Sequence, residues 1–351
     1  MTEIARCLPP VRPLIGSIHR LNETLAILSH LSEEQTFPAR LATLVRVEGS
    51  SYRRAGARLL VDATGTRIGS ISGGCLEEDL LARMNALGPA RRSEVVVYDT
   101  TSENDVIWGV GTGCHGVVHI IIEYIADPPP WAREAWRQLQ DRKRVGLYLD
   151  WDDSAAGCTR LADDMPPVEK GRQRFVQNLE PPHHLVLFGA GADAQPLVRF
   201  AKSLGWTVTV IDPRSELVRA EHWPDADATR CLPAEDAASA VAWDGTTAAV
   251  IMTHHYRYDL PLLAALLPLN LTYLGLLGPR RRAERLLRDL PADAPGAARR
   301  SIDRLHAPVG LDLGGDGPEV VALAIVAEIQ ARFARRDARP LRERDRGIHD
   351  A

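Results

Sequence analysis

One segment restricts the fold of this chain more than any other: HHLVLFGAGADAQPLVRFAKSLGWTVTVIDPR, residues 183–214. Leu185–Phe188 is a short unbroken apolar run, as expected of a strand buried on both faces. It breaks at Gly189-Ala190-Gly191-Ala192-Asp193-Ala194, which fits G-x-G-x-x-A. A helical stretch follows to about Leu204, then a second strand, TVTVID, which ends at Asp212, 21 residues beyond Gly191. In such a unit the first glycine permits a tight turn and the second lets a phosphate approach the backbone. The alanine lets the helix pack on the strand. The helix N-terminus faces an anion, and the later acid lies near a ribose, favouring NAD over its 2′-phosphorylated relative. The spacing predicts a Rossmann-like domain with Gly189, Gly191 and Asp212 as candidate cofactor contacts. It does not fix the ligand, because folds of this kind are reused for many ligands.

Further β-α alternation makes this a doubly wound parallel sheet domain over residues 183–334. TAAVIMTH reads as a strand ending at Thr253-His254, and LTYLGLLGPRRRAERLL as a strand, Gly278 and a basic helix. APVGLDLGGDGPEVVALAIVAEIQARF reads as a strand-like piece, a Gly-rich turn and a long helix. Pro318 sits at its start, and Val321, Ala324, Ile325 and Ile329 form its apolar face. Ligands of open parallel sheets bind at the carboxyl ends of the strands. Thr253, His254, Gly278, Arg280 and the Gly310–Gly317 turn converge there, and His254, directly after an apolar strand, is a candidate site residue. The run GPRRRAERLLRDL reads as a solvated helix face, with a phosphate site as the alternative. The charged tail, 335–351, is expected to be disordered.

The first part of the chain reads as a mixed α/β domain over residues 1–126. A helix over 15–35 places Leu21, Leu25 and Leu28 on one face. ARLATLVRVEG is a strand, ARLLVDATGTRIGSI a hairpin, GGCLEEDLLARMNAL a helix start with acids in its first turn, and RRSEVVVYDT and GVVHIIIEYI are strands. DPPP at 127–130 ends the domain. A connecting segment, 127–182, holds a Trp-containing helix over 131–141 and the strand RVGLYLDW, and is expected to pack on the first domain.

Three stretches of this domain carry chemistry. VEGSSYRRAGARLLV puts Gly49, Ser50, Ser51, Arg53, Arg54 and Gly56 into one turn, suited to a phosphate or a pterin-like polar heterocycle; the alternative is a solvated hairpin loop. SGGCLEE places Cys75 behind Gly73 and Gly74 at the head of an acidic helix, and WGVGTGCHG frames Cys114 between glycines in the same way. A thiol at a helix N-terminus is a better nucleophile or soft-metal ligand, although Glu77 and Glu78 oppose the thiolate. Cys7, Cys158 and Cys231 lack such surroundings and read as structural.

Composition narrows the class. The chain has 351 residues and 45% apolar content, which fits two globular domains, and its net charge of −4 gives no footprint for nucleic acid. Five widely spaced cysteines without a C-x-x-C argue against a disulfide framework or a structural zinc. No apolar run reaches the ~20 residues of a membrane helix, and MTEIARCLPPVRPLIG lacks a signal-peptide core. A cytoplasmic protein is expected.

Taken in order, LVRVEGSSYRRAGARLLV, GSISGGCLEEDL, WGVGTGCHGVVHIIIE, LVLFGAGADAQPLVRFAKSLGWTVTVIDPR, VIMTHHYRYD, YLGLLGPRRRAERLL and PVGLDLGGDGPEVVALAIVAEI resemble the XdhC/CoxI family, over about residues 20–332. These are accessory proteins of molybdenum hydroxylases such as xanthine dehydrogenase. The resemblance implies a non-catalytic factor that binds the molybdenum cofactor, as molybdopterin or a dinucleotide form. It further implies support of sulfuration with a cysteine desulfurase and help with insertion into the target enzyme. The Cys75 and Cys114 turns, with contacts to the metal through these thiols, and the 49–56 turn correspond to the family's characteristic motifs. One departure is Ala192, where the family often has histidine. A homodimer is the default expectation. The competing readings are an NAD(P)-dependent oxidoreductase built on the Rossmann fingerprint and a docking scaffold. No G-x-S-x-G or Ser/His/Asp signature points to a hydrolase.

Overall fold

The computed structural model describes residues 23–33, 37–74, 76–101, 116–152, 155–163, 165–269, 271–291 and 304–344. Two compact units are present, Asn22–Pro181 and a second from Pro182 onward. Cys7, Cys75 and Cys114 lie outside the described residues.

In the first unit, β1 (Ala39–Gly49), β2 (Arg58–Val61), β3 (Arg67–Gly69), β4 (Ser93–Asp99) and β5 (Gly116–Ile125) form one antiparallel sheet in the order β3-β2-β1-β5-β4. Both faces are covered, which is why β1 and β5 read as nearly continuous apolar runs instead of alternating ones. One face carries Ala42, Leu44, Leu59, Ile120 and Ile122 against Leu80 and Met84 of α2 (Glu77–Ala86). The other carries Leu41, Leu60 and Ile125 against α1 (Glu23–Ser32) and α3 (Pro130–Gln140). The segment after Pro130 forms its own antiparallel sheet, β7-β6-β8, from β6 (Val145–Trp151), β7 (Arg160–Leu161) and β8 (Gln173–Leu179). Leu149 and Trp151 of β6 pack on Val45 and Ile121.

The second unit is a six-stranded parallel sheet from β9 (His184–Phe188), β10 (Thr207–Asp212), β11 (Ala228–Cys231), β12 (Thr247–Ile251), β13 (Tyr273–Leu276) and β14 (Leu305–His306). Its order, β11-β10-β9-β12-β13-β14, is the doubly wound Rossmann order, in which the chain reverses direction across the sheet between β9 and β12. Alternate residues of β9 face opposite layers. Leu185 and Leu187 meet α4 (Ala194–Ser203) and α8 (Pro318–Phe333), through Leu197, Ala201, Ile325 and Ile329. Val186 and Phe188 face the layer of α5 (Ala234–Ala237), α6 (Tyr256–Leu266) and α7 (Arg280–Arg288).

The sequence reading differs from the structure in places. The sixth strand is Leu305–His306; the run Val309–Leu313, read as strand-like, is irregular, because Pro308 has no donor and Gly310 has φ +102°. Cys158 and Cys231, read as structural, are exposed free thiols. Residues 335–344 of the tail are described and include a 3₁₀ turn at Leu341–Glu343.

Candidate functional site

At one end of the first-unit sheet, two motif-bearing turns meet the start of β5. The Ser50–Arg54 turn leaves the end of β1. Opposite Gly49, in register, is Gly116, the first residue of β5 after the Cys114 stretch. A Cβ on Gly116 would sit 2.5 Å from the Glu48 carbonyl and 2.6 Å from that of Ser50, so only glycine permits this approach. Thr100 closes the same corner: its hydroxyl donates to the Gly116 carbonyl at 2.8 Å and accepts the Gly116 N–H at 3.1 Å.

The second turn, Ser70–Gly74, leads toward α2. The Ser72 hydroxyl accepts the N–H groups of Gly74 (3.0 Å) and Leu76 (3.3 Å), and so shapes the backbone on either side of position 75. This turn is tied to the serine/arginine turn twice. Arg53 donates to the Ser70 hydroxyl at 3.1 Å, and the Tyr52 ring lies 3.8 Å from where a Gly73 Cβ would be. Arg53 also forks onto both carboxylate oxygens of Glu23 on α1, which raises its pKa. Its charge is therefore spent largely within the protein. Two groups outside the expected set of cofactor contacts lie at this corner. Tyr52 is 63% exposed, unusual for a large ring. Glu77, in the first turn of α2, has a buried Oε1 with no hydrogen-bond partner among the described residues. A Cβ on Gly74 (φ +115°) would meet nothing within 4 Å among them.

In the second unit, Gly189, Asp212 and His254 gather at the carboxyl ends of β9, β10 and β12. Gly189 has φ +123°, and a Cβ there would lie 2.5 Å from the Met252 carbonyl, so the turn after β9 runs against the backbone that leads out of β12. Asp212 has a fully buried side chain. Its Oδ2 accepts the Ala190 N–H (2.9 Å) and Arg214 Nη2 (2.8 Å), and its Oδ1 accepts the N–H (2.9 Å) and Nε (2.8 Å) of Arg214. Burial pushes this carboxyl up, but the bonds from Arg214 and Ala190 outweigh it and hold it below the usual range. His254 has φ +58°, and its Nε2 pairs with Asp193 Oδ2 at 2.6 Å. Thr253 turns inward onto buried Asp259, which also binds Arg282 at 2.7 Å. Arg280 is exposed and pairs with Glu284 on its own helix.

Sequence reasoning passed over Asp193 because it occupies a variable position of the glycine fingerprint. An acid inside an anion-binding turn was the signal that could have found it.

Comparisons with known proteins agree with this architecture. Residues 33–99 match the XdhC and CoxI family, and residues 185–329 match the XdhC Rossmann domain. The chain is 36% identical over 336 residues to a probable xanthine dehydrogenase subunit of Bacillus subtilis (strain 168), an alignment covering 90% of this chain and 97% of that protein. It is 25% identical to the molybdenum cofactor insertion chaperone PaoD of Escherichia coli (strain K12), over 82% of this chain and 81% of PaoD. The crystal structure of a xanthine dehydrogenase from Bacillus halodurans shares the fold with a TM-score of 0.75 at 29% identity, covering 91% of this chain and 98% of that one.

Proposed function

The chain belongs to the XdhC and CoxI family, and from that premise we propose that it is a non-catalytic maturation factor of a xanthine dehydrogenase-type molybdenum hydroxylase. In this reading it takes the molybdenum cofactor as cargo, holds it while a cysteine desulfurase partner supplies the sulfur, and hands it to the target enzyme in the cytoplasm. The kinship with a molybdenum cofactor insertion chaperone supports the cargo.

The observation that carries the reading is the meeting of the Ser70–Gly74 turn, the Ser50–Arg54 turn and Gly116 at one end of one sheet. The residues there suit a pterin phosphate. Among the described residues the space over Gly74 is open to a ligand, and the exposed Tyr52 ring offers a stacking face. The buried Glu77 oxygen, without a partner among the described residues, is an acceptor of the kind that the amino edge of a pterin satisfies. The Ser72 hydroxyl holds the N–H groups of Gly74 and Leu76, the residues on either side of Cys75 in the chain. Cys75 and Cys114 supply soft ligands or sulfur-handling groups in this assignment.

The test is capture. The full chain, purified from cells that make the cofactor, is denatured and the released small molecule is identified by mass spectrometry. The expected result is a molybdopterin-type compound at roughly one equivalent, with retention much reduced in Cys75→Ala and Cys114→Ala. Undiminished retention in the double variant removes the thiols from the assignment. Absence of any such compound ends the cargo reading.

A further inference from the structure

The second unit has the glycine turn of a dinucleotide-binding domain, yet its own side chains stand in both places where a dinucleotide would bind. At the ribose position, a carboxylate offers about four acceptor sites, and Asp212 has four hydrogen bonds on its two oxygens, one from Ala190 and three from Arg214. A ribose hydroxyl has nothing left to donate to without displacing Arg214 from a fully buried carboxylate.

At the phosphate position the obstruction is more direct. The second glycine of this fingerprint exists so that a pyrophosphate can approach the backbone. Here the Asp193 carboxylate fills that space: a Cβ on Gly191 would lie 2.6 Å from Asp193 Oδ1. Asp193 is the N-cap residue of α4, yet its side chain makes no capping bond to the helix. Its other oxygen is held instead by His254, across the point where the chain reverses direction in the sheet. Asp193 thus supplies the turn with its own anion, and a diphosphate entering it would meet a like charge in an occupied space.

We infer that the Asp193–His254 pair is a built-in latch that bars dinucleotide diphosphates from the glycine turn, so that this Rossmann unit does not take NAD(P) as a cofactor while the latch is closed. The latch is independent of the cargo assigned to the first unit.

The test uses the full chain and three proteins: wild type, Asp193→Asn and Asp193→Gly. Asparagine removes the charge and remains a good N-cap, and glycine removes charge and volume at small cost to the helix start. Each is titrated with NADH by fluorescence and with ADP by calorimetry, after thermal unfolding has shown that the fold is kept. The expected result is no saturation of wild type at ~1 mM ligand, and affinity at least tenfold higher in Asp193→Gly, with Asp193→Asn between them. Binding by wild type as tight as by the variants overturns the latch. So does failure of both folded variants to bind, because Asp193 would then not be what keeps the ligand out.

Discussion

Replacing Gly116 by alanine tests whether the candidate site is held together as described. The added Cβ would lie 2.5 Å from one backbone carbonyl and 2.6 Å from another. That is roughly 1 Å inside an ordinary contact of about 3.5 Å. Forcing a methyl group into a packed region costs about 1–3 kcal/mol. Both obstructing atoms here are backbone, in β1 and in the turn after it, and neither can swing away as a side-chain end would. We therefore expect the top of the range, about 3 kcal/mol. The matched control is Gly88→Ala, in the same unit, where a Cβ would meet nothing within 4 Å. Losing a glycine there restricts the unfolded chain and is worth about 0.4–1 kcal/mol in the opposite direction. For a unit of this size, each kcal/mol moves the melting temperature by roughly 2–4 °C. Calorimetry of the full chain should show the first-unit transition fall by roughly 6–12 °C in Gly116→Ala and hold or rise slightly in Gly88→Ala. Cofactor retention should fall with the first and not with the second. Equal melting temperatures for the two variants would refute the close approach of β5 to the Ser50 turn.

Two predictions concern buried carboxylates. Asp212→Asn leaves Arg214 and the Ala190 N–H facing a weaker acceptor, and should cost the second unit about 2 kcal/mol, the scale of a lost charge-assisted hydrogen bond, because Arg214 remains partly in water. The folded pKa of Asp212 is depressed, so its contribution is present above the unfolded carboxylate value and is lost as pH falls through the folded one. The wild-type advantage in urea midpoint should accordingly shrink on acidification, and an advantage constant down to pH 2 would count against the Arg214 assignment. Glu123 has the opposite sign. It is fully buried, and burial pushes its carboxyl up against the pull of two bonds from Thr159. Its contribution is present below the unfolded value and lost as pH rises through the folded one. Glu123→Gln should therefore gain on wild type as pH rises above the ordinary carboxylate range in the same assay; a pH-independent difference would mean that the carboxyl is not desolvated.

The second unit was largely legible from sequence because its signals are local. A buried strand, a glycine turn, a helix and a second strand follow one another within residues 183–212, and the periodicity of each is intact. β11 and β14 were not legible. Ala228–Cys231 is a part-buried edge strand without an apolar run, and Leu305–His306 is too short to show a period. The apolar Val309–Leu313 resembles a strand in composition, but the left-handed Gly310 interrupts it. In the candidate site, residue types were readable and their commitments were not. The charge of Arg53 is claimed by Glu23, a residue 30 positions away that no local pattern connects to it. The same holds for His254: its place at the carboxyl edge follows from the strand before it, whereas its pairing with Asp193 exists only once β9 and β12 lie side by side.

That adjacency also sets how the second unit yields over time. β9 is bonded to a neighbour on each side, and Leu185–Phe188 are buried without exception, so the amides of this strand should exchange with solvent only when the whole unit unfolds. β14 is held to the sheet by two residue pairs at an edge, and the Val309–Gly317 stretch hangs from it with Glu328 as an added tether. The carboxyl edge therefore has one wall expected to persist as long as the fold does and another, held by fewer sheet bonds, expected to exchange its amides sooner. A molecule visiting this edge meets the more persistent of these two surfaces at the glycine turn.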